Sequence, residues 1–328
     1  MLHMTIRTYI IRRLLLLAPT FLLISLIIFT LIHLAPGDPI TIMFASSRKQ
    51  ASPEIIALAR KELGLDQPIY IQYLMWLSRL LRGDLGYSYV SGQPTAEMIG
   101  VRIGRTAELM LLAEVVSVTL AIVLGVICAV KHYSLIDVVS SFGALMGYSL
   151  PSFWIGLMFL LVFSLQLRWL PSFGVQTPGQ TFSLLGAWFD HLKHLILPVG
   201  VLVIGFIAYL FRMVRSSMLE VLRQDYIVTA RAKGLKERVV IYKHALRNAL
   251  LPVVTYEGYS IGFLLGGAAI VESVFSWPGL GKFAVDLALG RDYPPLMGLN
   301  VVIAVMVLLA NLCADITYAI VDPRIRYD

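Results

Sequence analysis

The residues best placed to do chemistry are glutamates set in long apolar runs: Glu108 and Glu114 between Thr106 and Val130, and Glu257 between Leu250 and Val271. A carboxylate at bilayer depth is costly unless it faces protein or water. Glu114 and Glu257 therefore either bond across helices or line a wet passage, while Glu108 lies nearer the interface. Glu272, shortly before Trp277 and Pro278, reads as a contact at an outer mouth. Gly258, Gly262 and Gly266 recur every four residues beside Glu257, a spacing that allows close helix packing. His191 and His194 are spaced to share one helical face, yet no nearby carboxylate completes a zinc arrangement. The sequence contains no GxxxxGK[ST], so it offers no phosphate-cradling loop for ATP. No catalytic residue, cofactor or metal is assigned to this chain, which is read as a non-enzyme.

The elements that position these glutamates must live in lipid. Hydrophobic residues make up 58% of the 328 and charged residues 14%, whereas soluble proteins carry about 25% charged residues. A net charge of +7 would suit nucleic acid, but no zinc pattern accompanies it and the basic cluster lies between apolar runs. Contact with membrane lipids explains the charge, and nucleic acid is excluded as a partner. Cys128 and Cys313 sit inside apolar runs and read as buried thiols. Arg7, Arg12 and Arg13 precede a run from Leu14 to about Leu34 that is longer than a signal-peptide core and is followed by Pro36. It reads as a first membrane helix.

Six spans are expected: Ile10 to Leu34, Thr106 to Val130, Val138 to Leu165, Leu195 to Met213, Leu250 to Val271 and Gly298 to Ile320. Each is near or above the roughly 20 residues that cross a bilayer as a helix, and none alternates as a barrel strand would. Pro198 and Gly205 interrupt the fourth. Basic residues collect in the N-terminal arm, at Lys131, between Arg212 and Arg247, and in the tail at Arg324 and Arg326. Six crossings put all four on one side, so both termini are expected in the cytoplasm. After Pro36, APGDP should stop the first helix, SPEIIALARKELGL reads as a short amphipathic helix, and YIQYLMWLSRLL as a second. The expected organisation is an N-terminal arm with helix one (1–35), an extracytoplasmic helical segment (36–105) and a five-helix core (106–328). That core carries a cytoplasmic loop at 215–250 and a tail at 321–328.

The loop is the most informative segment. Leu219, Leu222, Tyr226 and Ala230 recur at helical spacing beside charged positions, Gly234 permits a turn, and Val239, Val240 and Tyr242 begin another partly apolar element. Two short helices result, either lying at the interface or docking onto a partner. Small Ala230, Ala232 and Gly234 favour docking, because low bulk lets another helix approach. A docked partner's motion would pass into the neighbouring spans.

The same loop resembles the signature, or EAA, loop of binding-protein-dependent ABC importers, and the whole chain resembles the first permease of the dipeptide, oligopeptide and nickel family. The stretches that carry the likeness run the length of the chain: RRLLLLAPTFLLISLIIFTLIHLAPGDP, ELGLDQPIYIQYLMWLSRLLRGDLGYS, SLPSFWIGLMFLLVF, DYIVTARAKGL, HALRNALLPVVT, GGAAIVESVFSWPGLGKFAVDLALGRDYP and DPRIRY. The resemblance implies an all-α polytopic protein with the type I ABC importer permease fold, in a bacterial or archaeal cytoplasmic membrane. Implied partners are a sister permease, two cytoplasmic nucleotide-binding subunits that hold ATP and Mg²⁺, and an extracytoplasmic substrate-binding protein. The implied coupling positions are Tyr226, Ala230, Ala232, Gly234 and Leu235, with Arg231, Lys233, Arg238 and Arg247 as flanking cations. Val228 departs from the Glu or Arg expected there, and RIGRTAEL lacks the usual Leu-Pro. Short peptides are the implied cargo; glutathione, nickel complexes or oligosaccharides would use the same architecture. A scaffold without a passage and an ion-coupled secondary transporter are the readings from other classes.

Overall fold

The computed structural model describes residues 6–34, 53–62, 64–264 and 266–321. APGDP, Arg324, Arg326 and the tail from 322 lie outside them. Lipid offers no partner for a backbone N–H or C=O, so apolar runs fold as helices, which satisfy those groups internally. Helix α1 covers Ile6–Leu34, followed by α2 (Pro53–Glu62) and α3 (Ile69–Leu81). Next come α4 (Thr95–Val130), α5 (Leu135–Ser149), and α6 (Ser152–Phe159), which continues as π-helix through Leu160–Gln166. Helix α7 (Leu184–Val221) leads into α8 (Asp225–Ala232) and then a second loop segment, α-helical at Glu237–Val239 and Leu246–Ala249 and π-helical at Val240–Ala245. Helices α9 (Leu251–Leu264), α10 (Ala269–Val274), α11 (Leu280–Leu289) and α12 (Tyr293–Val321) complete the order.

Four helices among the described residues are long and apolar enough to cross a membrane, at Ile11–Leu34, Thr95–Val130, Leu184–Val221 and Tyr293–Ile316. The expected third span is instead a pair, α5 and α6 with its continuation, bent by 104°. Pro151 causes the break: it lacks an N–H and drives Leu150 out of the helical region, to φ −87° and ψ 135°. Counting the pair as one gives five. The expected fifth span divides into α9 and α10, and 14-residue α9 covers about 21 Å, short of the ~30 Å of hydrocarbon. The fourth starts at Leu184 rather than Leu195 and runs through Pro198 without a break. Helix α4 likewise begins at Thr95, ahead of the expected Thr106, and is continuous through RIGRTAEL.

The chain forms two compact units, one of Met1–Arg105 with Gly279–Asp328, the other of Thr106–Pro278. In the first, α1 packs along α12, and Arg13 Nη1 pairs with buried Asp315 Oδ2 at 2.9 Å. Helix α3 joins α1 through a hydrogen bond between Ser25 Oγ and Tyr73 Oη (2.9 Å) and through Phe29 against Tyr73 and Trp76. Ile99, Leu280, Phe283, Leu287 and Leu299 make its core. Asp292 fixes the turn after α3 by accepting from Ser88 Oγ and, at 2.9 Å, from the Tyr89 N–H.

The second unit has two apolar cores. Leu109, Ala113, Leu195, Val201, Phe275 and Trp277 belong to one. The other joins Ala121 and Val126 of α4 and Val214 and Met218 of α7 to Ile227 and Ala230 of the loop. Cys128 is buried as expected; Cys313 is not, because it lies on an exposed face of α12.

Close crossing of α4 and α7 depends on Gly125: a Cβ there would stand 2.7 Å from Val214 Cγ1 and 3.2 Å from the Arg215 backbone nitrogen. Gly104 of α4 has no such neighbour within 4 Å. Gly125→Ala should therefore destabilise by about 1–3 kcal/mol through overpacking, while Gly104→Ala should be neutral or stabilising by up to about 1 kcal/mol from helix propensity. Thermal unfolding of the purified protein compares the two directly.

Candidate functional site

Three groups of side chains in the unit Thr106–Pro278 make up the candidate site. The first is the loop between α7 and α9. Helix α8 begins after Gln224 and ends where Gly234 takes the left-handed conformation, φ +76°, and donates its N–H to Arg231 O at 2.9 Å. A non-glycine residue there would be strained, so the helix stops and the chain turns back. Arg231 then grips Glu237 with two hydrogen bonds, Nη2 to Oε1 at 2.7 Å and Nε to Oε2 at 3.2 Å. Asn248 Nδ2 donates to Tyr226 Oη at 2.8 Å, tying the second segment to α8.

Burial divides the predicted coupling residues by role. Ala230 is 8% exposed and Ile227 0%, packed with Val240, Ala245 and Ala249 in the core that includes α7. Ala230 is thus small because it faces its own chain. Arg231, Ala232, Lys233, Gly234, Leu235 and Arg238 are exposed in one continuous stretch, with Tyr226, Val228 and Arg247 also exposed. The loop presents a basic surface with a few apolar side chains, seated on an apolar core.

The second group is the buried carboxylates. Glu114 is buried and adjoins Glu257 across the helices. Glu257 Oε2 accepts from Ser260 Oγ (3.1 Å), and among the described residues its buried Oε1 has no partner in hydrogen-bonding geometry. Tyr256, packed against Tyr209 with tilted rings and centroids 4.7 Å apart, stands beside both acids. Gly258 and Gly262 lie on α9 with Glu257, and Gly266 lies beyond its end.

The third group is the predicted mouth. Glu272 is fully buried and accepts from Thr106 Oγ1 at 3.0 Å. Trp277 is fully buried and packs against His191, whose Nε2 meets Glu108 Oε1 at 2.5 Å and whose Nδ1 meets Val175 O at 2.9 Å. Pro278 follows Trp277 at the end of this turn. His194 bonds instead to Asp190 O at 2.8 Å, so the two histidines have separate partners. Among the described residues no group of three His, Cys, Asp or Glu side chains is arranged to hold a metal ion.

Sequence reasoning missed the strongest polar tie in this unit. Arg215, at the loop end of α7, makes a bidentate pair with Asp137 on α5, Nε to Oδ1 at 2.6 Å and Nη2 to Oδ2 at 2.8 Å. Asp137 is 2% exposed, and Ser134 caps its helix by accepting from the Asp137 N–H. The signal was present as a Ser-x-x-Asp pattern at the head of an apolar run, but Arg215 registered only as loop charge. Asp190, held by the Thr177 N–H and hydroxyl, was also missed.

Sequence comparison adds a finding of another kind. The family described as binding-protein-dependent transport system inner membrane component matches residues 121–327, and its N-terminal counterpart matches residues 6–123. The oligopeptide transport system permease protein AppB of Bacillus subtilis is 46% identical over 320 residues, covering 97% of this chain and 99% of the relative. The dipeptide transport system permease protein DppB of Escherichia coli is 42% identical, with 97% and 98% covered. A DppB of Alkalihalophilus pseudofirmus is 41% identical, with 97% and 99% covered.

Asp137→Ala should cost about 3–5 kcal/mol, because it strands a partly buried guanidinium; loss of thermal stability in the assembled complex checks this. Glu237→Gln should cost under about 1 kcal/mol, since both partners of that pair are exposed. The Arg231 hydrogen bonds hold the Glu237 carboxyl below its usual range. Its small contribution is therefore complete above the ordinary glutamate pKa and is lost as pH falls through the lowered folded value. Stability of the wild type minus that of Glu237→Gln, followed with pH, should shrink only on the acid side.

Proposed function

Because the chain belongs to the family of binding-protein-dependent transport system inner membrane components, we propose that it is one of two related permeases in an ATP-driven importer of short peptides. The observation that carries this reading is the loop from Asp225 to Ala249: an exposed basic stretch, 231–239, whose neighbours pack into the core of α4, α7 and α9. A surface built this way can receive a push and deliver it to membrane helices. The chain's own sequence has no phosphate-cradling loop, so ATP and Mg²⁺ belong to two cytoplasmic partner subunits.

In this reading the chain crosses the membrane six times with both termini cytoplasmic. Helices α9 and α10, with the turn between them, make the crossing that neither could make alone. A solute-binding protein delivers the ligand on the outer side, where the segment 36–105 is available to it. ATP binding closes the partner subunits, and Ala232, Gly234 and Leu235, flanked by Arg231, Lys233 and Arg238, transmit the closure. Ala230 supports that surface from beneath. Glu114 and Glu257 are assigned to the passage, where adjoining carboxyl oxygens can accept from the ammonium end of a peptide. Gly258, Gly262 and Gly266 leave room for the sister permease. Glu272, Trp277 and Pro278 are assigned to the outer mouth, the first two as buried supports behind its lining. The peptide assignment draws support from the relatives, which are named as oligopeptide and dipeptide permeases.

Leu235→Glu places a charge on the exposed stretch without touching the core. In liposomes holding the full complex, it should reduce ATP-driven peptide uptake to the level without ATP, while the two permeases still co-purify. Ion-driven uptake by this chain alone would contradict the importer assignment. Uptake of glutathione, a nickel complex or an oligosaccharide in preference to peptides would keep the mechanism and replace the cargo.

A further inference from the structure

The unit Met1–Arg105 with Gly279–Asp328 contains a cavity of about 860 Å³, within the range of about 300–1,000 Å³ typical of pockets that enclose small amphiphiles. Its walls come from the last turns of α1, from the end of α2 and the turn that follows it, from α3 and the turn after it, and from the start of α12. Phe29, Ile32, Trp76 and Met297 give it an apolar wall, and Arg79 and Tyr89 a polar one. Arg79 makes no ion pair or side-chain hydrogen bond among the described residues; its charge acts on the Tyr89 phenol. Asp66 and Asp84 stand on the same lining.

Location decides what such a cavity takes. Helix α1 is exposed at Leu23 (58%) and Leu31 (62%), and α3 at Tyr70 (64%), Leu74 (59%) and Leu81 (70%). Helix α3 is too short to span and shows this apolar surface beside Arg79, as a helix lying in the membrane interface does. Tyr73, Trp76, Tyr87 and Tyr293 gather where two spans end, the level at which aromatic side chains meet headgroups. A cavity at that level is within reach of a lipid headgroup, and the Arg79 guanidinium at its polar wall is a phosphate ligand. Carboxylates on the same lining accept an amine.

We propose that this cavity binds one glycerophospholipid of the leaflet in which α1 ends, with an acyl chain along Phe29, Ile32 and Met297 and the phosphate on Arg79. The headgroup that suits both signs on the lining is one with an ammonium beside the phosphate, as in phosphatidylethanolamine. On the orientation proposed above this is the outer leaflet. The site does not depend on what the complex carries.

The test is a titration of the detergent-solubilised complex with phosphatidylethanolamine brominated on its acyl chains, reading the Trp76 fluorescence as the difference between wild type and Trp76→Phe. Quenching should saturate, Arg79→Gln should raise the half-saturating lipid about tenfold, as expected for one charge-assisted hydrogen-bonding group, and Arg79→Lys should restore most of it. Met297→Phe, which fills the apolar wall, should abolish the saturable phase even if Arg79→Gln fails to assemble. Quenching that rises without saturation and identically in every variant would show surrounding lipid alone and overturn the proposal. So would displacement of the quencher by a water-soluble dipeptide, which would make the cavity a solute site.

Discussion

Apolar packing between Ile227 and Ala230 of the loop and Val214 and Met218 of α7 is the contact on which the rest of the molecule's behaviour depends. A loop joined to its helices only by exposed ion pairs would flex under load, since such pairs contribute little. Here the loop shares a dry core with α4, α7 and α9, and protein interiors are dense enough to transmit displacement. The bidentate Asp137–Arg215 pair extends that coupling to α5. Force applied at residues 231–239 therefore reaches several membrane helices together.

Close backbone approach serves the same end in lipid, where helix association gains little from the hydrophobic effect and relies on packing and polar contacts. Gly125 against Val214 and Gly147 against Ile204 let α4 and α5 approach α7. Polar pairs, the first buried and the others half-buried, supply the second component: Thr106 with Glu272, Glu108 with His191, and Thr177 with Asp190. The first two tie elements distant in sequence; the third pins the turn before α7 to that helix. Helix bundles with such internal bonds can move as blocks, as alternating exposure of a central passage requires.

Much of this was legible in the sequence, and the gaps have physical causes. Long apolar runs announced α1, α4, α7 and α12, and the period of SPEIIALARKELGL and YIQYLMWLSRLL announced α2 and α3. Hydropathy cannot see a bend, so the break at Pro151 and the division of α9 from α10 were invisible to it. Ala230 was singled out for its size as a place where a partner helix could approach, but size does not say which surface approaches; the fold places it against its own core. Asp137, Asp190, Asp292 and Asp315 were overlooked because each lies at the edge of an apolar run or near its end, where a carboxylate reads as solvated. Arg215, Ser88 and Arg13, the partners of Asp137, Asp292 and Asp315, are far away in sequence, and only the fold brings them together.

The central claim is that the loop moves as a rigid extension of the spans. It is tested most directly by a spin-label distance in the assembled complex between Lys233→Cys, on the exposed loop, and Val254→Cys, on the exposed face of α9. The account predicts the same distance with and without ATP bound to the partner subunits, while the distance from Lys233→Cys to its counterpart on the sister permease changes. A loop that shifts against α9 when ATP binds would contradict it.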